Sequence, residues 1–349
     1  MRVTVAEDGF NLERGGWLPS AAVAVESWGA PGNPAVLVCH ALTGDAHVAR
    51  HRAEDPAGWW EWLVGPGRPL DTNHFYILAI NVLGGCAGST GPSVGDRPAD
   101  FPAITIGDIV RAEALALDNL GVDRVELVVG GSLGGMQALE WAAAFPERVG
   151  FAAGIGVSAG LSAMALGVNH VQLAALEWGL AHGPSAAEAA LGWARMLAML
   201  SYRSAGHLQS RFGRLRDAAE EFAVDAYLER HADKIRARFS PASYRLLADA
   251  MGRWQLDLDR YAQAAAPPPV RLLGLERDWL FPPAAVRETV SRLQAAGVDA
   301  TYEELANDVG HDAFLMPVPA LDAWMAHVAA EVLNRVAGAA PPKRAAPWS

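Results

Sequence analysis

Apolar positions follow one pattern near the two ends of this chain and another in its middle. Before residue 160, short apolar runs of strand length alternate with helix-like segments, and the alternation resumes after residue 269. The predicted strands are 21–28, 35–39, 75–81, 124–129, 149–155, 270–275 and 300–305, and the predicted helices are about 106–120, 133–145 and 313–336. Because nearly continuous apolar strands separated by helices are typical of buried parallel sheets, the pattern predicts an α/β fold with a mainly parallel sheet.

The stretch from 161 to 263 has a different pattern. It is rich in Ala, Leu, Arg and Glu at helical spacing, offers no convincing strand, and leads into the stiff connector AAAPPP at 264–269. We therefore predict an α/β core in two parts, 1–160 and 267–337, interrupted by a helical lid insertion at 161–266. The Pro- and Ala-rich end, 338–349, is predicted to be a disordered tail.

A glycine-flanked serine stands between a predicted strand and a predicted helix. Ser132 is the centre of the sequence GGSLG at 130–134, a G-x-S-x-G pattern. In a nucleophile elbow, so tight a turn strains the serine backbone and requires residues without side chains two positions away on either side. The pattern also arises by chance in a chain with 35 glycines, but the flanking strand and helix favour a catalytic serine.

An activated serine needs a histidine base and an acid that orients the base. In α/β-hydrolase sheets the acid and then the histidine follow the last strands of the core. Asp278 follows the predicted strand 270–275, and His311 follows the strand 300–305. Glu276 lies nearer the strand end and Asp308 is too close to His311 in sequence, so Asp278 is the predicted acid.

The tetrahedral intermediate of acyl transfer needs two backbone N–H donors. Leu133 follows the serine, and Leu42 lies in the loop after the strand 35–39, so their amides are the predicted oxyanion donors. His40 and His47 in this loop raise the possibility of a metal site. No carboxylate or third histidine joins them at ligand spacing in the sequence, so we predict no metal and expect both to stabilise the loop.

Composition excludes several classes of partner. A net charge of −11 opposes general affinity for nucleic acid or anionic membranes, although an anionic ligand could still occupy a locally basic cleft. No apolar run approaches the roughly 20 residues that cross a bilayer, and the N-terminus has no apolar signal segment. Two cysteines form neither a disulfide framework nor a C-x-x-C pair, so a reduced, cytoplasmic protein is expected.

Several stretches resemble the signature sequences of homoserine O-acetyltransferases, α/β-hydrolase-fold enzymes of methionine biosynthesis. They are HALTG (40–44), NVLGGCAGSTGP (81–92), GGSLGGMQALEW (130–141), DWLFP (278–282) and GHDAFL (310–315), with SYRS (201–204) and RFGR (211–214) in the insertion. There are two departures. The family usually carries Met at the position of Leu133, and the segment 168–183 lacks an expected glycine- and tyrosine-bearing stretch, which bears on lid shape.

The resemblance implies roles for particular residues and substrates. Ser132 is the nucleophile, His311 the base and Asp278 the orienting acid, in agreement with the order in the chain. The family also assigns Arg203 to the carboxylate of L-homoserine and Asp312 to its ammonium. Without the resemblance, Arg203 would be interpreted as a solvent-exposed residue of a helix. Acetyl-CoA is the implied acyl donor in a ping-pong transfer without a permanently bound cofactor, and a homodimer through the insertion is implied.

Three alternatives remain open at this point. The donor could be succinyl-CoA or the acceptor serine, with the same residues in a reshaped pocket. A serine esterase of the same fold would replace the amino acid by water, although paired sites for a zwitterion argue against it. A catalytically silent interaction module is disfavoured by the intact order of the triad.

Overall fold

The computed structural model describes residues 1–92, 101–217 and 220–338. Its strands are β1 (Arg2–Ala6), β2 (Phe10–Asn11), β3 (Trp17–Leu18), β4 (Ala21–Trp28), β5 (Ala35–Cys39), β6 (Val64–Gly65), β7 (Leu70–Asp71), β8 (Tyr76–Ile80), β9 (Val125–Gly131), β10 (Val149–Ile155), β11 (Val270–Leu275) and β12 (Ala300–Leu305). Its helices are α1 (Ile106–Asn119), α2 (Leu133–Ala144), α3 (Ala163–Ala181), α4 (Pro184–Tyr202), α5 (Ala205–Phe212), α6 (Ala223–Arg236), α7 (Pro241–Arg253), α8 (Leu258–Gln263), α9 (Pro283–Ala295) and α10 (Pro319–Gly338). Two 3-10 turns lie at Pro146–Arg148 and His311–Leu315.

Eight strands form one sheet in the order β1-β4-β8-β5-β9-β10-β11-β12. The pairs β1–β4 and β4–β8 are antiparallel, and every pair from β8 to β12 is parallel. The predicted α/β fold with a mainly parallel sheet is therefore confirmed. Because the carboxyl ends of parallel strands share one edge, the loops after β5, β9, β11 and β12 emerge side by side.

The sheet is buried on both faces, and alternate residues of a strand enter different clusters. On β5, Leu37 packs into the larger cluster with residues of α1 and α2, whereas Val36 and Val38 pack into the cluster that contains α10 residues. This period of two is the geometric reason that the central strands read as continuous apolar runs.

The structure corrects the predicted elements in several places. The closing helix begins at Pro319 rather than near 313, because the 3-10 turn His311–Leu315 and two prolines, Pro317 and Pro319, interrupt the helical pattern. Helix α9 and strand β1 add to the predicted set, together with four strands of two residues each: β2, β3, β6 and β7.

Helices α3 to α8 lie between β10 and β11 in the chain. Hydrogen bonds hold this helical region to the core at Leu256 N–H to the Ala159 carbonyl (2.8 Å) and at Ser204 N–H to the Val309 carbonyl (2.7 Å). The boundaries assigned to a separate lid remain a prediction. The predicted tail lies outside the described residues beyond Gly338. Within the described ranges, no helix is both long and apolar enough to span a membrane.

Candidate active site

Ser132 lies at the tip of the turn from β9 to α2. Its backbone has φ 57° and ψ −121°, an unfavourable region for a residue with a side chain, and its N–H donates to the Ile155 carbonyl at 2.9 Å. A Cβ atom at Gly130 would lie 2.5 Å from the Cys39 carbonyl oxygen, and one at Gly134 would lie 2.1 Å from it. Both glycines of the pattern are thus required by the close approach of β5.

Asp278 and His311 meet although they are far apart in the chain. Oδ2 of Asp278 lies 2.6 Å from Nδ1 of His311, and both residues are buried. The other carboxylate oxygen, Oδ1, accepts hydrogen bonds from the backbone N–H groups of Leu280 (2.9 Å) and Phe281 (3.1 Å). Since these bonds fix the carboxylate, the imidazole is oriented with Nδ1 toward the acid and Nε2 away from it.

Aromatic rings surround the His311 imidazole and the local charges adjust its basicity. Phe281 stacks on it at a centroid distance of 5.4 Å, and Tyr202 and Phe314 contact it at 5.6 and 5.5 Å. Burial acts most strongly and lowers the pKa of His311, but the charge and hydrogen bond of Asp278 and the charge of Asp312 together outweigh it. The pKa of His311 therefore lies above its ordinary value.

Ser132 and His311 line the same cavity, which has a volume of about 530 Å³. In the described part of the chain, Nε2 of His311 is buried without a hydrogen-bond partner, and no hydrogen bond joins it to the serine. Catalytic hydrogen bonds are often long or poorly aligned without substrate and tighten in the complex. Ser132 and His311 therefore line the same cavity, and Nε2 of His311 is free, among the described residues, to accept a hydrogen bond.

The two predicted oxyanion donors lie beside this serine. Leu133 is the first residue of α2, so its N–H has no partner within the helix. Leu42 lines the cavity in the turn after β5, which is closed by the bond from Gly44 N–H to the Ala41 carbonyl (2.8 Å). Gln137 Nε2 donates to the carbonyls of both His40 and Leu133, each at 3.1 Å, and thereby fixes this loop against α2.

Arg203 and Asp312 form an ion pair with each other. The guanidinium Nη2 lies 3.0 Å from Oδ2 of Asp312, and the two side chains are only 13% and 11% exposed. Asp312 is on the cavity wall, whereas Arg203 is not among the lining residues and contacts Met316 Sδ at 3.5 Å on its far side. The sequence-predicted pair is therefore brought together, but the arginine lies behind the carboxylate.

Other polar residues on the cavity wall were not predicted. Arg195 of α4 lies over the Tyr202 ring at 5.6 Å, and Arg238 Nη1 donates to the Thr43 carbonyl at 2.7 Å. Burial, and then the charge of Arg195, lowers the pKa of Arg238. In the sequence Arg195 looks like an ordinary polar position of an amphipathic helix, and Arg238, in the turn after α6, looks like a solvated residue, so no signal marked either of them.

His40 stabilises the loop as expected, but the argument that no carboxylate or further histidine joins His47 is wrong. His40 is buried, with Nδ1 2.8 Å from the Ala41 carbonyl and Nε2 accepting from Val82 N–H at 3.1 Å. His47 is joined by both a carboxylate and a further histidine, Glu26 and His51, whose ligand atoms all lie within 4.8 Å of one another. The sequence argument missed them because Glu26 comes from a distant strand.

Comparison with known proteins gives a consistent family relationship. A family model described as the alpha/beta hydrolase fold matches residues 34–316. A homoserine O-acetyltransferase of Symbiobacterium thermophilum is 40% identical over an alignment of 351 positions that covers 92% of each chain. A crystal structure of the homoserine O-acetyltransferase of Staphylococcus aureus superposes with a TM-score of 0.78 at 26% identity, covering 99% of this chain and 97% of that one. The crystal structure of esterase E22 superposes with a TM-score of 0.83 at 19% identity, covering 94% of this chain and 99% of that one. At this low identity, the likeness shows only that the two proteins share a fold.

Proposed function

The chain belongs to the homoserine O-acetyltransferase family of alpha/beta hydrolase proteins, and we propose that it transfers an acetyl group from acetyl-CoA to the hydroxyl of L-homoserine. Such a reaction serves methionine biosynthesis, and a bifunctional methionine biosynthesis protein of Rhodopirellula baltica is 37% identical to this chain. The observation that carries the proposal is that Ser132, His311 and Asp312 line one cavity, with Asp278 bonded to His311 and Arg203 paired with Asp312.

The transfer proceeds in two half-reactions through an ester of Ser132. The hydroxyl gives its proton to Nε2 of His311 while Oγ attacks the thioester carbonyl, and CoA leaves as the thiol with that proton. The homoserine hydroxyl then gives its proton to the same nitrogen and attacks the acyl ester. Collapse of the second tetrahedral intermediate releases O-acetylhomoserine and returns the proton to Ser132.

Asp278 stabilises the imidazolium that forms in each half-reaction. Its bond to Nδ1 of His311 fixes the tautomer and leaves the lone pair of Nε2 free to accept the proton. The amides of Leu42 and Leu133 are proposed to bind the oxyanion. Removal of one such donor costs on the order of a hundredfold in rate in comparable sites.

The Arg203–Asp312 pair suits a zwitterionic acceptor. An amino acid that enters between the two groups gives its carboxylate to the guanidinium and its ammonium to the carboxylate. Each charge then keeps a partner of opposite sign, whereas a neutral ester would leave the buried pair as it is. This balance favours an amino acid over water as the second substrate.

Arg195 and Arg238 are proposed to favour an anionic donor. The chain carries a net charge of −11, yet these two guanidinium groups line the cavity, where they offset Asp45 and Asp312, the acidic residues among its described lining. A guanidinium group binds phosphate through paired, charge-assisted hydrogen bonds, so the two arginines can attract a phosphate-bearing acyl-CoA to a molecule that is negative on average. Acetyl-CoA is a substrate in this account, and no permanently bound cofactor is proposed.

The test of this function is thiol release from an acyl-CoA with and without an amino acid. We expect release from acetyl-CoA that depends on homoserine. Faster release with succinyl-CoA, or with serine as acceptor, would reassign the donor or the acceptor within the same mechanism. Equal release without any amino acid would identify an esterase, the function that the likeness to esterase E22 brings into consideration, and would contradict the proposal.

We also propose a cytoplasmic homodimer. Two packed helices of the insertion, α3 and α4, expose large apolar side chains, and the rings of Trp178 and Trp193 stack across them at 5.9 Å. The exposed large apolar residues of these two helices are Met164, Leu166, Val171, Trp178, Trp193 and Leu200, and Met164, Val171 and Trp178, spaced by seven, share one face of α3. Apolar surface of this kind marks a protein contact, and a second copy of the chain is the proposed occupant. A cytoplasmic location is proposed because both substrates are intracellular metabolites.

A further inference from the structure

We propose that Glu26, His47 and His51 form a binding site for a divalent transition-metal ion beside the active-site cavity. One ligand atom from each residue, a carboxylate oxygen and two imidazole nitrogens, lies within 4.8 Å of the others. This donor set of two imidazoles and one carboxylate is typical of zinc and related first-row ions. The inference does not depend on the proposed function.

Two of the three ligand-atom pairs are already close to the spacing that an ion requires, and the third pair lies within 4.8 Å. Nδ1 of His47 lies 3.0 Å from Oε2 of Glu26, and Nε2 of His51 lies 2.9 Å from the same oxygen. Around a tetrahedral Zn²⁺ with bonds of about 2.0–2.1 Å, neighbouring ligand atoms are about 3.3 Å apart. An ion can therefore replace the two hydrogen bonds if each imidazole nitrogen moves a few tenths of an ångström from the carboxylate oxygen and the two imidazole nitrogens, which lie within 4.8 Å of each other, come to the same spacing.

Surrounding contacts hold both imidazoles in place. Nε2 of His47 is bonded to the Pro56 carbonyl at 2.9 Å, which is the outer contact that a metal-bound histidine usually makes. The ring of His51 stacks on Trp28 at 4.8 Å with an interplanar angle of 3°. Because Trp28 and Glu26 are two residues apart on β4, the indole and the carboxylate lie on the same face of the strand.

The loop backbone is fixed as well. The N–H of His47 donates to Asp45 Oδ1 at 2.9 Å, and the N–H of His51 donates to Asp55 Oδ2 at 3.1 Å. Ligands that are held before an ion arrives lose little conformational freedom on binding. The side chains of Glu26, His47 and His51 are 30%, 26% and 41% exposed, so an ion can enter from solvent and keep water on its open side.

The site shares a wall with the active-site cavity. His47 and Pro56 line that cavity together with Leu42, whose amide is a proposed oxyanion donor. A bound ion would connect β4, in the sheet, to the loop that forms this wall. Its role is therefore to brace the cavity wall, and the ion itself takes no part in acyl transfer.

Zinc binding to the full-length protein tests the site. Protein stripped of metal with a chelator should bind one equivalent of Zn²⁺ in calorimetry, and its thermal midpoint should rise with zinc concentration. Glu26→Gln and His51→Ala should each weaken binding by at least about tenfold and abolish the rise in the midpoint. If Glu26→Gln does not fold, the more exposed His51→Ala decides the question.

Two control variants exclude other zinc ligands. His74→Ala removes an exposed histidine that lies 4.0 Å from Asp71 on another surface, and Cys86→Ser removes a free thiol. Both should bind zinc like the parent protein. The proposal is overturned if the stripped protein binds no zinc, or if Glu26→Gln and His51→Ala bind it as tightly as the parent does.

Discussion

At the scale of single residues, His311 is controlled by two carboxylates with different tasks. Asp278 bonds to Nδ1 and holds the ring, whereas Asp312 acts on the imidazole through its charge and pairs directly with Arg203. Both carboxylates raise the pKa of His311, and a base must be neutral to accept a proton. We therefore expect acylation of Ser132 to be lost as the pH falls through the pKa of His311.

In the Asp312→Asn variant, the loss of Ser132 acylation should occur at lower pH than in the parent protein. Removing the negative charge removes one of the influences that raise the pKa of His311, so the imidazole stays neutral to a lower pH. The measurement is the pH dependence of CoA release in the first half-reaction, before any acceptor binds. An acid limb that stays in place, or moves to higher pH, would show that Asp312 does not act on His311.

Arg203 and Arg195 are expected to serve different substrates. Arg203→Ala should raise the KM for homoserine by about tenfold or more and change the KM for the acyl-CoA little, since a charged hydrogen bond of this kind contributes about 1.5–3 kcal/mol. Arg195→Ala should instead raise the KM for the acyl-CoA and change the KM for homoserine little. Steady-state kinetics with each substrate varied in turn makes the comparison, and a reversed pattern would exchange the two assignments.

The order of residues along the sequence led to the proposed triad, whereas the charged residues of the cavity wall gave almost no signal. Ser132, Asp278 and His311 follow strands whose ends share one edge of the sheet, so their convergence follows from topology. Arg195 of α4 and Arg238, in the turn after α6, reach the cavity only because the helical region folds over it. Glu26 comes to His47 from β4, and no pattern of spacing predicts that meeting.

At the scale of elements, α1 and α2 are joined by a buried acid. Trp141 Nε1 donates to Glu113 Oε2 at 2.7 Å, and the second oxygen, Oε1, has no partner within the described residues. Burial raises the pKa of Glu113 to about 8, and the bond from Trp141 lowers it only in part. The carboxyl group is therefore neutral at pH 7 in the folded protein.

This acid should make the protein less stable as the pH rises. The unfolded chain releases the proton near the ordinary pKa of a glutamate, but the folded chain holds it up to about pH 8. Between about pH 5 and that value, the free energy of unfolding should fall by up to about 1.4 kcal/mol per pH unit. Glu113→Gln keeps an acceptor for Trp141 and should remove this contribution.

Urea unfolding at several pH values measures the effect. The contrast to follow is the slope of unfolding free energy against pH in Glu113→Gln and in Glu147→Gln, an exposed control. We expect only the first variant to flatten the slope and to gain stability at pH 8. Identical slopes in all three proteins would mean that Glu113 ionises in the folded state.

Strong periodicity predicted the central strands, and weak local signals hid the smaller elements. The strands β4, β5, β10, β11 and β12 lie where their apolar runs predicted them. Strands of two residues, such as β2, are too short to show a period of two. The 3-10 turn at His311–Leu315 resembles the start of a helix, and only three residues, Met316, Pro317 and Val318, separate it from α10.

At the scale of the whole molecule, the apolar face on α3 and α4 provides a test of assembly. Trp178 and Trp193 are 48% and 49% exposed, and aromatic side chains of this size dominate the energy of many interfaces. Trp178→Lys with Trp193→Lys should raise the dissociation constant of the proposed homodimer by about tenfold or more. Sedimentation equilibrium measures the change.

Trp17→Lys is the matched control for this experiment. Trp17 is 53% exposed on β3, away from the two helices, and its replacement should leave assembly unchanged. A parent protein that sediments as a monomer, or a double variant that remains as dimeric as the parent, would contradict the proposed interface.

The central claim is that Ser132 carries the acyl group from CoA to an amino acid, and trapping that ester tests it most directly. The protein would be mixed with acetyl-CoA, quenched in acid and examined by mass spectrometry of intact protein and peptides, before and after a chase with homoserine. We predict one acetyl group on Ser132 that homoserine removes as O-acetylhomoserine, and no label on the Ser132→Ala variant. Acetylation that persists in Ser132→Ala, or a Ser132 ester that homoserine leaves in place, would contradict the account.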